Sequence, residues 1–437
     1  MTGQSCVLTN AIILYIISSL SSSKMQWLCK KEFLRYHGAM PFQLGSTMLH
    51  SFKLVVFLTV LLGIAMTNHA SEITVATFNV SMEADNYLPR GQRGDQTELI
   101  KRLATGQEPQ IQAVARIIQL ERPDVILLTE FDYIANPAKG VHALQQNYLA
   151  VTQQGAQPIE YPYYYYAPVN TGQPSPFDLD RDGEASGVGA DAWGYGFYPG
   201  QYGMLLLSRY PIEHDAIRTF RRFKWKDMPE HLQTKQADGS PWYEDEAWQQ
   251  FPLSSKSHWD VPINVNGKRL HVFASHPTPP VFDGPENRNG KRNHDEIRFW
   301  ADYISGEQGD YIYDDHGLAG GFDSQSPFVI LGDLNASPVE GDAIKAGIQR
   351  LLAHPRVQDP KPSSGGAVEH SPDNPHAAHH TAIWRMRADY VLPSKAGIEV
   401  IKSGVFWPAS GETGYELVQK RETSSDHRLV WVQMRLK

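Results

Sequence analysis

Short apolar runs separated by polar stretches give this chain its first readable pattern. Residues 73–80 (ITVATFNV) are apolar and β-branched, which predicts a buried strand. In residues 109–119, Ile111, Val114, Ala115 and Ile118 share one helical face, and Pro123 stops that helix. Strands are predicted at 125–128, 203–207, 270–274, 328–331, 390–392 and 429–432, and helices near 293–304 and 342–352. This mixture predicts an α/β chain with sheets in the core and helices outside. No period of 20–50 residues recurs, which excludes a solenoid. Residues 168–202, rich in Gly, Pro, Asp and aromatics, and residues 365–380, rich in Pro, His and small residues, have loop composition. Neither is flanked by a linker, so one domain with surface insertions is expected.

The amino end reads differently. Lys53 precedes twelve uncharged residues, 54–65 (LVVFLTVLLGIA), followed by Asn68, His69 and Ala70. Charge, a short apolar core and a small residue before Ser71 predict a secretory signal cut after Ala70. Twelve residues are too few to cross a ~30 Å hydrocarbon core, which takes roughly 20; an uncleaved membrane anchor is the lesser alternative. Starting at Met48, the signal would be an ordinary 23 residues, with 1–47 an over-extended start. A periplasmic or extracellular protein with no membrane span after cleavage, and a monomer, is expected.

Composition narrows the function. Of 437 residues, 41% are apolar and 20% charged, as in ordinary globular proteins. Both cysteines, Cys6 and Cys29, fall in the leader, so the main body holds no disulfide framework and no thiolate metal site. Five Lys/Arg and one acidic residue precede Ser71, leaving 35 basic and 47 acidic residues, net −12. That balance argues against holding nucleic acid by bulk electrostatics.

Four strand ends carry polar groups: Thr77-Phe78-Asn79, Thr129-Glu130-Phe131, Gly332-Asp333-Leu334-Asn335 and Ser424-Ser425-Asp426-His427. Burying such groups unpaired is costly, and convergence on a cation and an anionic substrate accounts for them. Asn, Asp and Glu oxygens suit Mg²⁺ or Mn²⁺ rather than zinc or copper. An Asp-His pair adds a titratable base, or a cation for developing negative charge. Each has a plainer alternative: Asn79 as a turn residue, Gly-Asp-x-Asn as a self-bonded turn, Glu130 paired with a surface Arg, Asp426-His427 as a strand cap.

Seven segments in order carry a resemblance: TFN (77–79), DVILLTE (124–130), LLLSRYPI (205–212), HVFASHP (271–277), VILGDLNASP (329–338), ADYVLPS (388–394) and SSDH (424–427). From Ile73 to the C-terminus the chain resembles the endonuclease/exonuclease/phosphatase superfamily, the deoxyribonuclease I-like fold, in a secreted bacterial-type form. The resemblance implies a four-layer α/β sandwich, two mixed sheets face to face with helices outside. It implies Glu130 as principal metal ligand, with Asn79 beside it and Asp426 as second carboxylate. His427 would act on the attacking water or stabilise the pentavalent phosphorus, oriented by Asp389. Asp333 would orient or deprotonate the water, Asn335 would hold a phosphate oxygen, and His276 would be a second site histidine. Arg209, in the S-R-x-P element, is a candidate for substrate contact as well as for a structural role.

Other features lie outside that pattern. Residues 277–302 are long and rich in Arg, Asn and His; Arg288, Lys291, Arg292, Asn293 and His294 form a candidate anion clamp, or a solvated loop and helix start. Asp178, Asp180 and Asp182, followed by Gly183, resemble the start of a calcium loop, but Gly189 stands where an EF-hand has Glu. A shortened structural Ca²⁺ loop and an acidic turn are equal readings. His370, His376, His379 and His380 lack the carboxylate order of a zinc site, and Tyr161–Tyr166 reads as strand and core edge rather than a base-stacking platform. The expected function is a secreted, Mg²⁺-dependent hydrolase of phosphodiesters or phosphomonoesters. The alternatives are an extracellular nuclease and a non-catalytic binding protein on the same scaffold.

Overall fold

The computed structural model describes residues 72–437 other than Arg90 and Asp323. The leader, including 54–65 and the expected cut after Ala70, lies outside the described residues. Among the described residues eleven strands form two sheets. They are β1 (Glu72–Met82), β2 (Val125–Phe131), β3 (Tyr163–Tyr165), β4 (Met204–Ser208), β5 (Arg218–Thr219), β6 (His258–Val265), β7 (Lys268–Ser275), β8 (Phe328–Asp333), β9 (Asp389–Pro393), β10 (Ile398–Val405) and β11 (Val430–Leu436). Four helices of two turns or more are described: α1 (Gln96–Thr105), α2 (Pro109–Glu121), α3 (Arg288–Tyr303) and α4 (Lys345–Leu352).

The six-stranded sheet has the order β10-β11-β1-β2-β4-β3 and the five-stranded sheet β5-β6-β7-β8-β9. Both are mixed: β1–β2 and β7–β8 are parallel, and the other pairs antiparallel. A parallel pair needs a crossover; α1 and α2 supply it between β1 and β2, and α3 between β7 and β8.

Side-chain alternation assigns the layers. Val272, Ala274, Val329, Leu331 and Val391 share one apolar cluster with the residues of β1, β2 and β4. Their neighbours Phe273, Phe328, Ile330, Tyr390 and Leu392 instead join Ile297, Phe299 and Trp300 of α3 and Ile348 and Leu351 of α4. The sheets therefore face each other across the first cluster, and α3 and α4 cover the outer face of the five-stranded sheet. Leu99, Leu103 and the apolar face of α2 pack into the first cluster as well, covering strands β1 and β2, which are buried on both faces. This is the expected two-sheet α/β sandwich. Among the described residues no helix is long and apolar enough to cross a membrane.

Two boundaries differ from expectation with a physical reason. The helix expected at 293–304 begins at Arg288, so the basic residues 288–293 form its first turns and not a loop. Strand β6 (HWDVPINV) was not legible as an apolar run because Asp260 and Pro262 interrupt it. In the fold Asp260 is buried, accepting from the Tyr303 hydroxyl (2.8 Å) and bonded to His271 Nδ1 (2.7 Å).

Candidate active site

The carboxyl ends of β1, β2, β7 and β8 meet at one end of the sandwich, where the two sheets come together. Parallel-strand ends are where α/β folds place ligands. Two backbone features shape this end. Strand β1 has a register shift between Asn79 and Met82, with Ser81 left-handed at φ 49°. Glu130 is left-handed too, at φ 56°, a costly conformation for a residue with a Cβ and one that collects at functional sites. On β8, a Cβ at residue 332 would stand 2.0 Å from the Ser275 carbonyl, so only glycine lets β7 and β8 approach this closely beside Asp333.

Asp333 is the hub. Its Oδ2 accepts from Asn79 Nδ2 at 3.1 Å and lies 3.4 Å from His276 Nε2 and 3.5 Å from His427 Nε2. Its Oδ1 accepts the Asn335 backbone N–H at 2.9 Å. His427 Nδ1 donates to Asp389 Oδ2 at 2.9 Å, and the Thr381 hydroxyl donates to the same oxygen at 2.7 Å. Asp389–His427–Asp333 is thus a buried relay joining β9, the loop before β11 and the end of β8. Asp389, Asp333 and His427 place ligating atoms within 4.8 Å of one another.

The charges are mutually adjusted. Burial pushes the Asp333 carboxyl up to about 6 against the opposing pull of His427. Burial alone would depress His427, but the carboxylates of Asp389 and Asp333 outweigh it and raise the imidazole to about 10. Burial, then the neighbouring Asp426 carboxylate, pushes Glu130 up to about 7. His276 moves the other way: burial, then Lys256 and His427, hold it well below the usual range, and its Nδ1 has no partner among the described residues. The arrangement pairs a cationic imidazole with a neutral one on either side of a basic carboxylate, the pattern of divided acid and base roles.

Asp426 and Glu130 form the acidic side of the site. Asp426 Oδ1 accepts from the Ser81 hydroxyl at 3.0 Å, and Oδ2 pairs with the exposed Arg421 at 3.3 Å. Ser425 fixes the loop: its hydroxyl donates to the Asn79 carbonyl (2.7 Å) and accepts the His427 N–H (3.0 Å). Buried Arg428 donates to the carbonyls of Ser425, His427 and Val418. Trp384, 45% exposed, stands edge-on to His427 with ring centres 4.7 Å apart, forming a wall at the rim.

Asn79, Glu130, His276, Asp333, Asn335, Asp389, Asp426 and His427 are therefore all at this end of the fold. The other expected residues are elsewhere or otherwise occupied. Arg209 pairs with Asp124 at 3.2 Å, at the opposite end of β2 from Glu130, about 20 Å away at strand rise. Arg292 is buried and donates to the carbonyls of Leu253, Trp193 and Pro252. Asn293 donates to Thr278 O (2.8 Å) and Leu334 O (3.0 Å), tying the loop of His276 to that of Asp333. Arg288 is held by Glu286 and lies over Trp242. The anion clamp is not formed: desolvated guanidinium and amide groups here satisfy backbone carbonyls. Asn335 keeps its place, but one amide N–H goes to Pro277 O at 3.2 Å.

The acidic loop is also rearranged. Asp178 and Asp180 join Asp191 rather than Asp182, with carboxylate oxygens within 4.8 Å of one another. The Asp182 carboxylate accepts the Glu184 N–H instead. No histidine of the 370–380 group is part of a metal-sized cluster among the described residues; His380 pairs with Glu340 at 3.1 Å.

Sequence reasoning missed Lys256 and Glu296. Lys256 is buried, and burial lowers its proton affinity while Glu296, Glu130 and Asp333 oppose the fall. Glu296 accepts the N–H groups of Ser255 and Thr278, both at 2.6 Å, and so holds the segment next to His276. The one signal for Lys256 was a charge directly before the weakly patterned β6. Glu296 looked like an ordinary helical carboxylate.

A two-sheet α/β sandwich with an Asp–His–Asp relay and flanking carboxylates at its strand ends defines a hydrolase-type scaffold. The chain belongs to the Endonuclease/Exonuclease/phosphatase family, whose profile matches residues 76–427. It is therefore of the phosphoesterase or nuclease type of hydrolase. Among solved structures it is similar to an endonuclease/exonuclease/phosphatase from Beutenbergia cavernae, at 18% identity over 84% of this chain and 72% of that one, TM-score 0.47. It is similar to the human Nocturnin catalytic domain at 12% identity over 84% and 95%, TM-score 0.42. The beta toxin of Staphylococcus aureus aligns at 14% identity over 84% and 100%, TM-score 0.41. Among curated proteins, none matches this chain.

Proposed function

We propose that this protein is an exported, divalent-metal-dependent phosphoesterase that hydrolyses a phosphodiester or phosphomonoester by in-line attack of water. The observation that supports it most is Asp333, a buried carboxylate bonded to Asn79 with its Oδ2 3.4 Å from His276 Nε2 and 3.5 Å from His427 Nε2. Its raised proton affinity suits it to accept the proton of the attacking water. His427, held by Asp389 with Nε2 turned toward Asp333, is the cation that faces the developing phosphoryl charge. His276 enters neutral, and Asn335 has a second amide N–H for a phosphoryl oxygen.

The acidic side suits a hard cation. Glu130 and Asp426, both half-buried, repel each other, and a divalent ion relieves such repulsion. Glu130, Asp426 and the Asn79 oxygen would hold it, consistent with Mg²⁺ or Mn²⁺. When bound, such an ion supplies Lewis-acid polarisation of the phosphoryl group and a template for the ester. Export rests on residues 48–70 alone.

The test is an activity panel with Mg²⁺, Mn²⁺ and Ca²⁺ on bis-nitrophenyl phosphate, nitrophenyl phosphate, DNA, RNA and phospholipid, on wild type and Glu130→Gln. The expected result is turnover of at least one small ester, abolished by chelator and by Glu130→Gln. Normal turnover of Glu130→Gln at saturating Mg²⁺ would overturn the metal assignment. Cleavage confined to DNA or RNA, with steep salt dependence, would make it a nuclease.

A further inference from the structure

A second recess lies beside the catalytic centre, at the open edge of the sandwich. It has a volume of about 330 Å³ and is walled by Arg221, Arg222, His316, Ser257, Trp259 and Asp315, with the segment after β3 closing one side. Its floor is the start of β6. His258 pairs with Ser275, the residue before His276, so the floor is about 5 Å, one strand spacing, from the strand that delivers His276. The recess is thus at the same end of the fold as the relay, displaced toward the β5 edge.

Its polar groups are arranged unlike those of the failed clamp. Arg292 is consumed by backbone carbonyls, but the two arginines here are not. The Arg221 guanidinium has one long contact, to Asn170 Oδ1 at 3.4 Å, and Arg222 is fixed through its backbone N–H. Neither forms a salt bridge among the described residues. The carboxylate in the wall is already satisfied: Asp315 accepts from the Thr219 hydroxyl (2.7 Å) and from the N–H groups of Arg221 (3.2 Å) and Arg222 (2.7 Å). Trp259 is fully buried, and among the described residues its Nε1–H has no partner. Leaving an indole N–H unpaired in a wall costs stability unless something accepts from it. Burial depresses the Arg221 guanidinium, the Asp315 carboxylate opposes the fall, and Arg222 adds to it.

We propose that this recess is an oxyanion-binding site, separate from the catalytic centre, that takes a carboxylate, sulfate or phosphate group of a small molecule. Arg221 and Arg222 provide charge-assisted donors, and the Trp259 N–H provides a neutral one; the Ser257 hydroxyl already donates to the His258 carbonyl at 3.3 Å. The recess has room for one such group with a modest organic substituent. The inference stands on the recess alone and does not require the ester hydrolysis proposed above.

Isothermal titration calorimetry with inorganic sulfate and with inorganic phosphate, at matched ionic strength, tests it. Calorimetry is preferred to melting because sulfate stabilises proteins without binding a site. The full chain is compared with Arg221→Gln, Arg222→Gln, Trp259→Phe and His427→Ala. The expected result is saturable binding of one anion, weakened about ten-fold or more by either arginine change, as loss of a charge-assisted donor would give. The Trp259→Phe change should weaken it less, and His427→Ala should leave it intact. Exposed Arg222 keeps the test open if Arg221→Gln or Trp259→Phe fails to fold. Binding lost in His427→Ala and kept in Arg222→Gln would assign the anion to the catalytic centre and overturn the proposal. Absence of saturable binding up to tens of millimolar would overturn it too.

Discussion

His427 Nδ1 donates to Asp389 Oδ2 across 2.9 Å, with both side chains buried and the far nitrogen turned to Asp333. That bond fixes the tautomer of His427 and sustains its charge, so the two residues act as one unit. His427→Ala is expected to lower kcat/KM by ~10³-fold or more, on the scale of single catalytic donors and bases. Asp389→Asn should cost less. The double variant should lose little beyond His427→Ala, because groups acting as a unit are non-additive. Kinetics on the active ester, with folding checked by circular dichroism, decide it; multiplicative losses would separate the two roles.

Without metal, the acidic side should make stability fall as pH rises. Glu130 moves from 4.5 up to about 7 on folding. A raised pKa means the folded form holds the proton more tightly, so that contribution is complete below about 4.5 and lost by about 7. In chelator, the melting temperature should therefore drop across this window. Glu130→Gln should flatten the drop, and saturating Mg²⁺ should reverse it, since the ion competes with the proton. A wild-type profile that is flat in chelator across the window would contradict this account.

Arg292 should behave as a structural residue. Removing its guanidinium orphans the buried carbonyls of Leu253, Trp193 and Pro252. Arg292→Gln should cost at least ~2 kcal/mol of stability. Urea denaturation reads that loss, and steady-state kinetics should show no selective rise in KM. A raised KM at unchanged stability would restore the clamp.

Export gives the simplest measurement. If the segment 54–65 is a cleaved signal, amino-terminal sequencing or intact mass of the product found outside the cytoplasm should place Ser71 at or near the start. A mature product retaining residues 54–65 would turn the signal into an anchor.

The sequence by itself determined the strands that build the centre and the residues at their ends. Residues 73–80, 125–128 and 328–331 become β1, β2 and β8, because strands buried on both faces read as unbroken apolar runs. The polar groups that interrupt those runs at their ends stand out for the same reason, and Asn79, Glu130, Asp333 and His427 were legible that way. Half-buried elements were harder: β10 alternates apolar residues with Glu399, Lys402 and Ser403 and went unread. What only the tertiary structure decided is which charges are spent. Arg292 and Arg221 look alike in sequence, yet one is exhausted on carbonyls 39 to 99 positions away while the other keeps its guanidinium nearly free. Lys256 meets Glu130 and Asp333 only after folding, and Asp191 displaces Asp182 from the acidic group. Apolar burial follows local pattern. The partner of a polar group depends on short-range contacts between segments far apart in the chain, and those exist only once the two sheets have closed on each other.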